Sequence, residues 1–446
     1  MKTFKQLLVY FFALALLSCA TKDEKEEDPT PQNGTSNGIK IESVSPLKAA
    51  FDTEITIKGV NFSEITTENT VTFNDKKAIV VSAARKELVV KVPKGAGSGP
   101  IKVVVGSKDA SWDSFTYELT NTISTVNYFD HFFFTSLYFD ANNAMHVTQL
   151  SPGMLKVITG RSQATELSKG RLYTVPIFTN GSLSDAVFMF LTASTFDQSG
   201  NLFLADHSLI YKVTPQKQVS LFAGSYISNS EIRQISGYKD GPANQAQFNA
   251  ITDLDVDNNG NLIVMEANRI RKITPQGMVS TFAGTGVKGY RDGAGNQAQF
   301  AGLYKMDFDK NWNLFVTDSE NNCIRMVTPQ GQVSTVAGTR QAGYKDGAAL
   351  QAQFFGPSAL IFDKDWNLFV GEAGNYRIRK IDTQGQVSTL AGDGTNPLVY
   401  KDGKALEATV DTPIDFAFDK NGNLYFISIN DRYPSDLSRI CKVISE

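Results

Sequence analysis

The sequence predicts an all-β chain in which a small antiparallel sandwich precedes a ring of six repeated four-stranded sheets. Short runs of alternating apolar and polar residues fill residues 39–119, and a self-similar segment recurs every 52 to 60 residues over residues 122–446. Such a period is too long for a helical hairpin repeat and suits a four-stranded unit with one long connection. The net charge of -3 gives no electrostatic case for nucleic acid as a partner.

The first 19 residues have the features of an export signal. Two lysines precede an apolar run, residues 7–17, which is followed by Ser18 and Cys19. The run is too short to span a bilayer permanently, and a small residue before a cysteine marks processing. Residues 1–19 resemble a bacterial lipoprotein signal, which implies that Cys19 is acylated and inserted in outer-membrane lipid. A plain secretory signal is the alternative.

An acidic segment rich in turn residues follows at residues 20–38. Its composition cannot bury enough apolar surface to offset chain entropy, so it is predicted to be a disordered tether. Acidic residues directly after a lipidated cysteine resemble the surface-export signal of some Gram-negative outer-membrane lipoproteins. The resemblance implies an outer-membrane protein that faces the cell exterior, and a solvated linker facing the periplasm is the alternative.

The sandwich segment, residues 39–119, carries several specific sequence markers. They include Ser45-Pro46, the run ITIKGVNF at residues 55–62, and Val92-Pro93 before a glycine-rich turn. With these markers the whole segment resembles the IPT/TIG immunoglobulin-like family. The resemblance implies a spacer or interaction module and no chemistry.

The repeated units share a fixed order of short motifs. An apolar run ending in Asp predicts an inner strand, and a polar turn then opens the second strand. In the clearest copy, RIRKITPQG at residues 269–277 leads to VSTFAG at residues 279–284. The turn Thr-Pro-Gln-Gly separates the third strand from the fourth. The asparagines that mark the six first turns are Asn143, Asn201, Asn261, Asn313, Asn367 and Asn423.

These motifs resemble the NHL repeat family over residues 122–446, which implies a six-bladed β-propeller. The last copy ends after its third strand, which leaves a sheet edge exposed. Because ISTV at residues 123–126 resembles the fourth-strand sequence VSTF at residues 279–282, this strand is predicted to complete the sixth blade and close the ring. Cys323 and Cys441 fall on non-adjacent blades, so they are predicted to be buried packing residues and not a disulfide.

Loops between second and third strands, and the connections between blades, are expected to open on one face around the central channel. This face is the default binding site of such a ring. Tyrosines in the connections are suited to stacking on sugars and their acids to bonding hydroxyls, although the same motif can simply cap blade junctions. The candidate residues are Tyr238, Asp240, Tyr290, Asp292, Tyr344, Asp346, Tyr400 and Asp402.

A second candidate group joins acids at the ends of second strands to arginines a few residues later. These side chains either bind a ligand or pair across the hairpin as a repeated architectural ion pair. His207 is predicted in a loop on the same face, whereas Trp312 and Trp366 are predicted in first turns on the opposite face, filling surface grooves. The acids and arginines of this group are Glu266, Asp318, Glu372, Arg271, Arg325 and Arg379.

A third candidate group lies on the inner strands. Asp253 and Asp255 share one face of their strand because side chains alternate with a period of two, and Asp307 and Asp415 lie at matching positions. If that face lines the channel, the carboxylates converge there. Clustered oxygens favour Ca²⁺ over Zn²⁺ as a bound ion, but a wet channel without metal is the favoured interpretation and the Ca²⁺ site is the alternative.

The favoured function is a non-catalytic cell-surface lipoprotein that binds an extracellular ligand, with a polysaccharide or oligosaccharide as the expected glycan and an outer-membrane transport protein as a possible neighbour. The first alternative is a Ca²⁺-dependent hydrolase or lyase related to lactonase-like propellers. The Gly-x-Ser-x-Gly match at residues 34–38 falls in the predicted disordered tether and not on a strand-to-helix turn, so it does not indicate a nucleophile. The second alternative is a protein-interaction scaffold at the outer membrane.

Overall fold

A computed structural model describes residues 38–118, 121–130, 132–160, 163–170, 180–227, 233–395, 400–430 and 437–445. Cys19 and nearly all of the predicted tether at residues 20–38 lie outside these residues. The described chain is built of strands joined by turns, with four short 3-10 segments. Within these ranges, no helix is long and apolar enough to cross a membrane. The 3-10 segments are Thr66–Glu68, Leu183–Asp185, Ser319–Asn321 and Ala349–Gln351.

The N-terminal part forms a sandwich of two sheets around one core. The buried side chains of Ile57 and Leu88 come from one sheet, and those of Val71 and Val103 come from the other. The alternation of apolar and polar residues produces this packing because successive side chains point to opposite faces of a strand. The first sheet contains Lys40–Ser45, Glu54–Val60, Glu87–Lys91 and Ile79–Ala84. The second contains Lys48–Ala50, Lys108–Glu118, Gly99–Val105, Asn69–Phe73 and Lys76–Lys77.

Beyond the sandwich, the described residues form six antiparallel sheets, which we call blades 1 to 6. Their four main strands run from the inner to the outer edge in chain order, except in blade 6. Blade 1 contains Phe134–Phe139, Met145–Gln149, Met154–Gly160 and Gln163–Glu166. Blade 2 contains Leu191–Phe196, Leu202–Asp206, Leu209–Val213 and Gln218–Ala223. Blade 3 contains Ile251–Val256, Leu262–Glu266, Arg269–Ile273 and Met278–Ala283.

The last three blades repeat this arrangement. Blade 4 contains Leu303–Phe308, Leu314–Asp318, Cys323–Val327 and Gln332–Ala337. Blade 5 contains Pro357–Phe362, Leu368–Glu372, Arg377–Ile381 and Gln386–Ala391. Blade 6 contains Thr412–Phe418, Leu424–Asn430, Leu437–Ser445 and, at its outer edge, Asn121–Asp130.

Shorter strands decorate the blades. Lys169–Gly170 pairs with Val187–Phe188, and Ser225–Ile227 forms a hairpin with Arg233–Ile235. A further short strand lies against the outermost main strand of blades 2 to 6. These edge strands are Asn180–Ser182, Gly241–Pro242, Gly293–Ala294, Gly347–Ala348 and Gly403–Lys404.

The ring is closed by a strand that precedes it in sequence. Asn121–Asp130 pairs antiparallel with Leu437–Ser445, with Ile123 opposite Val443. The inner strands contact one another in a complete cycle, from blade 1 through blade 6 and back to blade 1. The strand pairing predicted for residues 123–126 is therefore present. Cys323 and Cys441 are buried free thiols, as expected.

Apolar side chains from the connections fill the spaces between blades. Phe248 lies in one buried cluster with Phe203 of blade 2 and Val264 of blade 3. Phe300 and Phe354 are also fully buried, in the clusters at the next two blade interfaces. Burying a phenylalanine side chain contributes about 2 kcal/mol, so each connection ties two neighbouring blades together.

Candidate functional site

A fully buried arginine on the third strand holds the inter-blade connection of blades 3, 4 and 5. In blade 4, Arg325 Nη1 donates to Asp318 Oδ2 at 2.7 Å, and Nη2 donates to Asp292 Oδ1 at 2.6 Å. The same guanidinium donates to the carbonyl oxygens of Arg291 and Gln299 at 2.9 and 3.1 Å. Equivalent contacts join Arg271 to Asp240 and Glu266, and Arg379 to Asp346 and Glu372.

These contacts make the second candidate group a repeated internal clasp. Arg271, Arg325 and Arg379 have no exposed side-chain surface, and their hydrogen bonds are directed to the protein. A buried charge is stable only when it is paired and hydrogen-bonded. The arginines and their acids are therefore committed to architecture, and the structure does not support a ligand-binding role for them.

The tyrosines of the connections pack on the same clasps. The Tyr344 hydroxyl lies 2.8 Å from Thr389 Oγ1, and the Arg377 guanidinium lies 4.0 Å from the centre of the ring. Arg269 covers Tyr238 at 3.8 Å, and Arg340 covers Tyr290 at 4.2 Å. One face of each ring is thus already used in a cation–π contact, which favours the junction-capping role.

The structure corrects the expected position of this Tyr-Asp motif. Gly241–Pro242, directly after Asp240, pairs with Met278–Ala283, the outermost main strand of blade 3. The other connections pair in the same way in blades 4, 5 and 6. The prediction that the motif surrounds the channel is therefore wrong, because it lies at the edge of each sheet farthest from the channel. The displaced residues are Tyr238, Asp240, Tyr290, Asp292, Tyr344, Asp346, Tyr400 and Asp402.

Blade 6 builds its junction differently. Cys441 lies at the register position of the clasp arginine, opposite Phe426, and its Sγ lies 2.9 Å from the Tyr400 hydroxyl. Arg439 covers the Tyr400 ring at 4.3 Å. Asp402 accepts hydrogen bonds from the backbone of Thr125 in the closing strand at 2.9 and 3.0 Å. This connection therefore also fastens the ring closure.

His207 lies in the turn between the second and third strands of blade 2, as predicted. Its φ is 58°, its side chain is half-buried, and burial lowers its pKa. Its ring centre lies 6.5 Å from that of Phe190. Asp206, next to it, is buried and accepts the backbone N–H of Phe190 at 2.7 Å. The surroundings of His207 thus favour a packing role.

Side chains of the inner strands link each blade to the next around the channel. Three carboxylates accept a backbone N–H of the following blade: Asp253 from Met306 (2.9 Å), Asp307 from Phe362 (2.7 Å) and Asp415 from Leu137 (2.7 Å). Hydroxyl groups serve the other interfaces: Ser136 with Ser194 (2.7 Å), Thr195 with Asp255 (3.3 Å) and Ser358 with the Pro413 carbonyl (2.6 Å). All six blade interfaces are therefore bridged by inner-strand side chains.

A lysine sits among these carboxylates, where a Ca²⁺ site was the alternative to a wet channel. Lys305 Nζ lies 2.9 Å from Asp415 Oδ1 and 3.4 Å from Asp253 Oδ1. Among the described residues, no group of three or more His, Cys, Asp or Glu side chains is arranged to hold a metal ion. Asp253, Asp307 and Asp415 do not fit a Ca²⁺ site, because an ammonium group and backbone N–H groups already contact their oxygens. Asp255 Oδ1 accepts the backbone N–H of Val256 and the hydroxyl of Thr195.

Burial shapes the ionisation of the channel acids. It raises the pKa of Asp253 to about 6 and that of Asp307 to about 7, and it also raises the pKa of Asp255. A carboxyl group with a raised pKa in the folded state contributes stability that is fully present below its unfolded pKa and is lost as pH rises through the folded value. For Asp307 this window runs from about pH 4 to pH 7.

A cavity of about 990 Å³ opens at the first-turn end of the propeller, between the first turns of blades 5 and 6. The side chains of Trp366, Phe369 and Phe418 contribute aromatic surface to its walls. Exposed polar side chains, including those of Lys364, Asp365, Lys420 and Asn421, surround them. The combination of aromatic walls and polar rim makes this cavity a candidate ligand site.

Apart from Asp307, the residues of this cavity were not among the predicted site residues. The one signal in the sequence was a tryptophan at a position in the first turn where three other copies have glycine. Asp307 also lines the cavity, which therefore extends from the turns to the inner strand of blade 4. The candidate site thus lies at the end of the propeller opposite to the turns between the second and third strands.

A sandwich followed by a closed ring of four-stranded sheets defines the class of this protein. Residues 40–119 match the family model described as IPT/TIG domain. Over 168 residues, the chain is 29% identical to NHL repeat-containing protein 2 of Gallus gallus, a match that covers 34% of this chain and 23% of that protein. The chain therefore combines an IPT/TIG domain with an NHL-type β-propeller, and the match spans only a minor part of that relative's length.

Two solved structures resemble nearly the whole chain. An auxiliary nutrient binding protein from Bacteroides ovatus has a TM-score of 0.59 and 16% identity, with 92% of this chain and 99% of that chain covered. A structural genomics protein of unknown function from Bacteroides thetaiotaomicron has a TM-score of 0.53 and 19% identity, with 93% and 99% covered. At these identities the similarity shows the shared fold.

Proposed function

We propose that this chain is a binding protein whose propeller captures an oligosaccharide from the medium. The observation that carries the proposal is the cavity between blades 5 and 6, with its aromatic walls and polar rim. Aromatic rings cover the apolar faces of ligands, while a few placed polar groups fix their orientation. A sugar offers both kinds of surface on every ring.

The charges at the cavity favour a ligand without strong net charge. The lining includes four acids and three lysines. Two of the acids, Asp363 and Asp419, are engaged with the backbone of their own turns. A near balance of opposite charges offers no field that would select a polyanion or a polycation. The structural likeness to a nutrient binding protein supports the same role.

Obstructing the cavity is expected to weaken binding. Ser388 is exposed on the outer strand of blade 5 and lines the cavity, so Ser388→Trp should occupy it without disturbing the core. Ser280 has the same register position in blade 3, opposite Lys272, and does not line the cavity. Isothermal titration against a panel of neutral oligosaccharides and polysaccharides should show affinity reduced about tenfold or more for Ser388→Trp and unchanged for Ser280→Trp.

Two results would contradict the proposal. One is a folded wild-type protein that binds no member of the panel. The other is a Ser388→Trp variant that binds its oligosaccharide as tightly as the wild type does, because the added indole should obstruct the wall of the cavity that Ser388 lines.

We further propose that Cys19 anchors the chain in the outer membrane, facing the exterior, where it supplies a neighbouring transport protein. The charged and apolar pattern of residues 1–19 supports this placement. Cys19→Ala should move the protein from the membrane fraction to the soluble fraction. Ser18→Ala keeps a small residue before the cysteine and should leave the protein anchored. Membrane retention of Cys19→Ala would refute the anchor, and resistance to protease added to intact cells would refute outward display.

A further inference from the structure

Trp312 and Trp366 occupy a backbone conformation that suits glycine. Their φ angles are 61° and 64°, in the left-handed region. A side chain with a Cβ atom is disfavoured there, and a bulky residue in this region is an outlier. The equivalent turn residues of the other blades are Gly200, Gly260 and Gly422 in blades 2, 3 and 6, and Asn143 in blade 1. The backbone hydrogen bonds of the blade 1 turn place Ala144, and not Asn143, at the position of Asn201, which corrects the sequence alignment by one residue.

The first turn enforces this conformation. In blade 5, Asp363 Oδ1 accepts the backbone N–H groups of Asp365 and Asn367 at 2.9 and 2.8 Å, and Oδ2 accepts Asn367 Nδ2 at 2.7 Å. The N–H of Trp366 donates to the Asp363 carbonyl at 3.0 Å. Strained residues persist where surrounding contacts over-determine them, and such residues cluster at ligand sites.

The enforced turns present both indole rings at the surface. Trp312 is 37% exposed and Trp366 is 39% exposed. Each indole packs beside the phenylalanine that ends its inner strand. The ring centres of Phe308 and Trp312 lie 5.5 Å apart, and those of Phe362 and Trp366 lie 6.1 Å apart. The two tryptophans are thus matched in backbone, exposure and aromatic support.

Their surroundings differ. Trp366 lines the cavity of about 990 Å³ between blades 5 and 6, and also a second cavity of about 300 Å³ near the first turn of blade 4. Trp312 lines neither of these cavities. The second cavity also includes Asp309 and Lys310, so both spaces combine the same indole with charged groups of a neighbouring turn.

We propose that Trp366 is the specificity-determining residue of this site and selects a pyranose ring with equatorial hydroxyls. Such a ring presents its axial C–H groups as a flat apolar face that matches an indole, and its hydroxyls point outward to the polar rim. The cavities beside Trp366 receive successive units of one oligosaccharide. This inference rests on the proposed function, which it refines by naming the sugar ring and the residue that selects it.

Replacing each tryptophan with asparagine tests the role of Trp366. Asparagine accepts a left-handed backbone, as Asn143 does at φ 63°. Trp366→Asn should lose about tenfold or more of the affinity for the oligosaccharide, whereas Trp312→Asn should bind as the wild type does. Trp366→Tyr keeps an aromatic face and should retain part of the affinity. The melting temperatures of the two asparagine variants should lie within a few degrees of each other.

A fluorescence measurement provides a second readout. The chain has three tryptophans, so Trp112→Phe/Trp312→Phe leaves Trp366 as the sole indole. Titration with the oligosaccharide should change the Trp366 emission until the signal saturates. The midpoint of this curve should agree with the dissociation constant measured by calorimetry. The preferred oligosaccharide should contain equatorial hydroxyls, and an isomer with one axial hydroxyl on the stacked face should bind more weakly.

The outcomes separate this inference from the proposed function. Binding that is lost in Ser388→Trp but unchanged in Trp366→Asn would overturn the role of Trp366 and leave the cavity as the site. Equal losses in Trp366→Asn and Trp312→Asn would overturn it too, because Trp312 does not line the cavity. A wild-type protein that binds no oligosaccharide would overturn both.

Discussion

Arg325→Met is expected to destabilise the propeller by about 3–5 kcal/mol. The substitution removes the guanidinium that pairs with Asp318 and Asp292 and leaves Asp318, which has no exposed side-chain surface, as a buried acid without its partner. It also removes the guanidinium hydrogen bonds to the carbonyl groups of Arg291 and Gln299, which keep only the backbone hydrogen bonds between these two residues. Chemical denaturation followed by intrinsic fluorescence measures the change in the free energy of unfolding.

The matched control for this substitution is Arg291→Met. Arg291 lies in the connection that Arg325 holds, but its own side chain is exposed, so its loss should change stability by about 0.5 kcal/mol or less. Equal effects of the two substitutions would contradict the view that the buried arginine holds the connection. Because the chain has two folded parts, the propeller transition must be resolved from that of the sandwich.

Lys305→Met is expected to lower the free energy of unfolding by about 3–5 kcal/mol at pH 8 and by less at pH 5. Its ammonium group lies between Asp253 and Asp415. Without it, the pKa of Asp253, which burial already raises to about 6, should rise further above its unfolded value. The folded variant then takes up a proton that the unfolded chain does not hold, so the stability that this proton contributes falls as pH rises.

Thermal or chemical unfolding at pH 5 and pH 8 measures this difference directly. Lys310→Met is the control, because Lys310 is exposed in the first turn that follows the same strand. It should show little effect at either pH. A Lys305→Met variant as stable as the wild type at pH 8, or one destabilised more at pH 5 than at pH 8, would contradict the account of the channel.

The ring and its closure were predictable because the repeated units share one order of motifs, and because the last unit lacks the fourth strand that residues 123–126 supply. The Asp after each inner strand and the Thr-Pro-Gln-Gly turn of blades 3 and 4 mark strand ends, and ISTV at residues 123–126 resembles the fourth strands of the other copies. Register follows from such markers because side chains alternate with a period of two. Pairing of the acids with Arg271, Arg325 and Arg379 was also foreseen as one of two alternatives.

The placement of the candidate site was not predictable by the same reasoning. Gly241–Pro242 is too short to leave a periodic signal, so its pairing with the outermost strand, and with it the outward position of Tyr238, required the structure. Lys305 lies at the repeat position of Asp253, but a search for clustered acids overlooks a lysine. Trp366 was visible as a departure from glycine, and the cavity beside it became apparent only when the turns of two blades were placed side by side.

The most direct test of the central claim is a crystal structure of the protein with the oligosaccharide that binds most tightly in the panel. We expect electron density for a pyranose ring against the Trp366 indole, in the cavity between the first turns of blades 5 and 6. Density at the outer edges of the blades, beside Tyr238 and Tyr344, or at the second-turn end of the channel beside His207, would contradict the account.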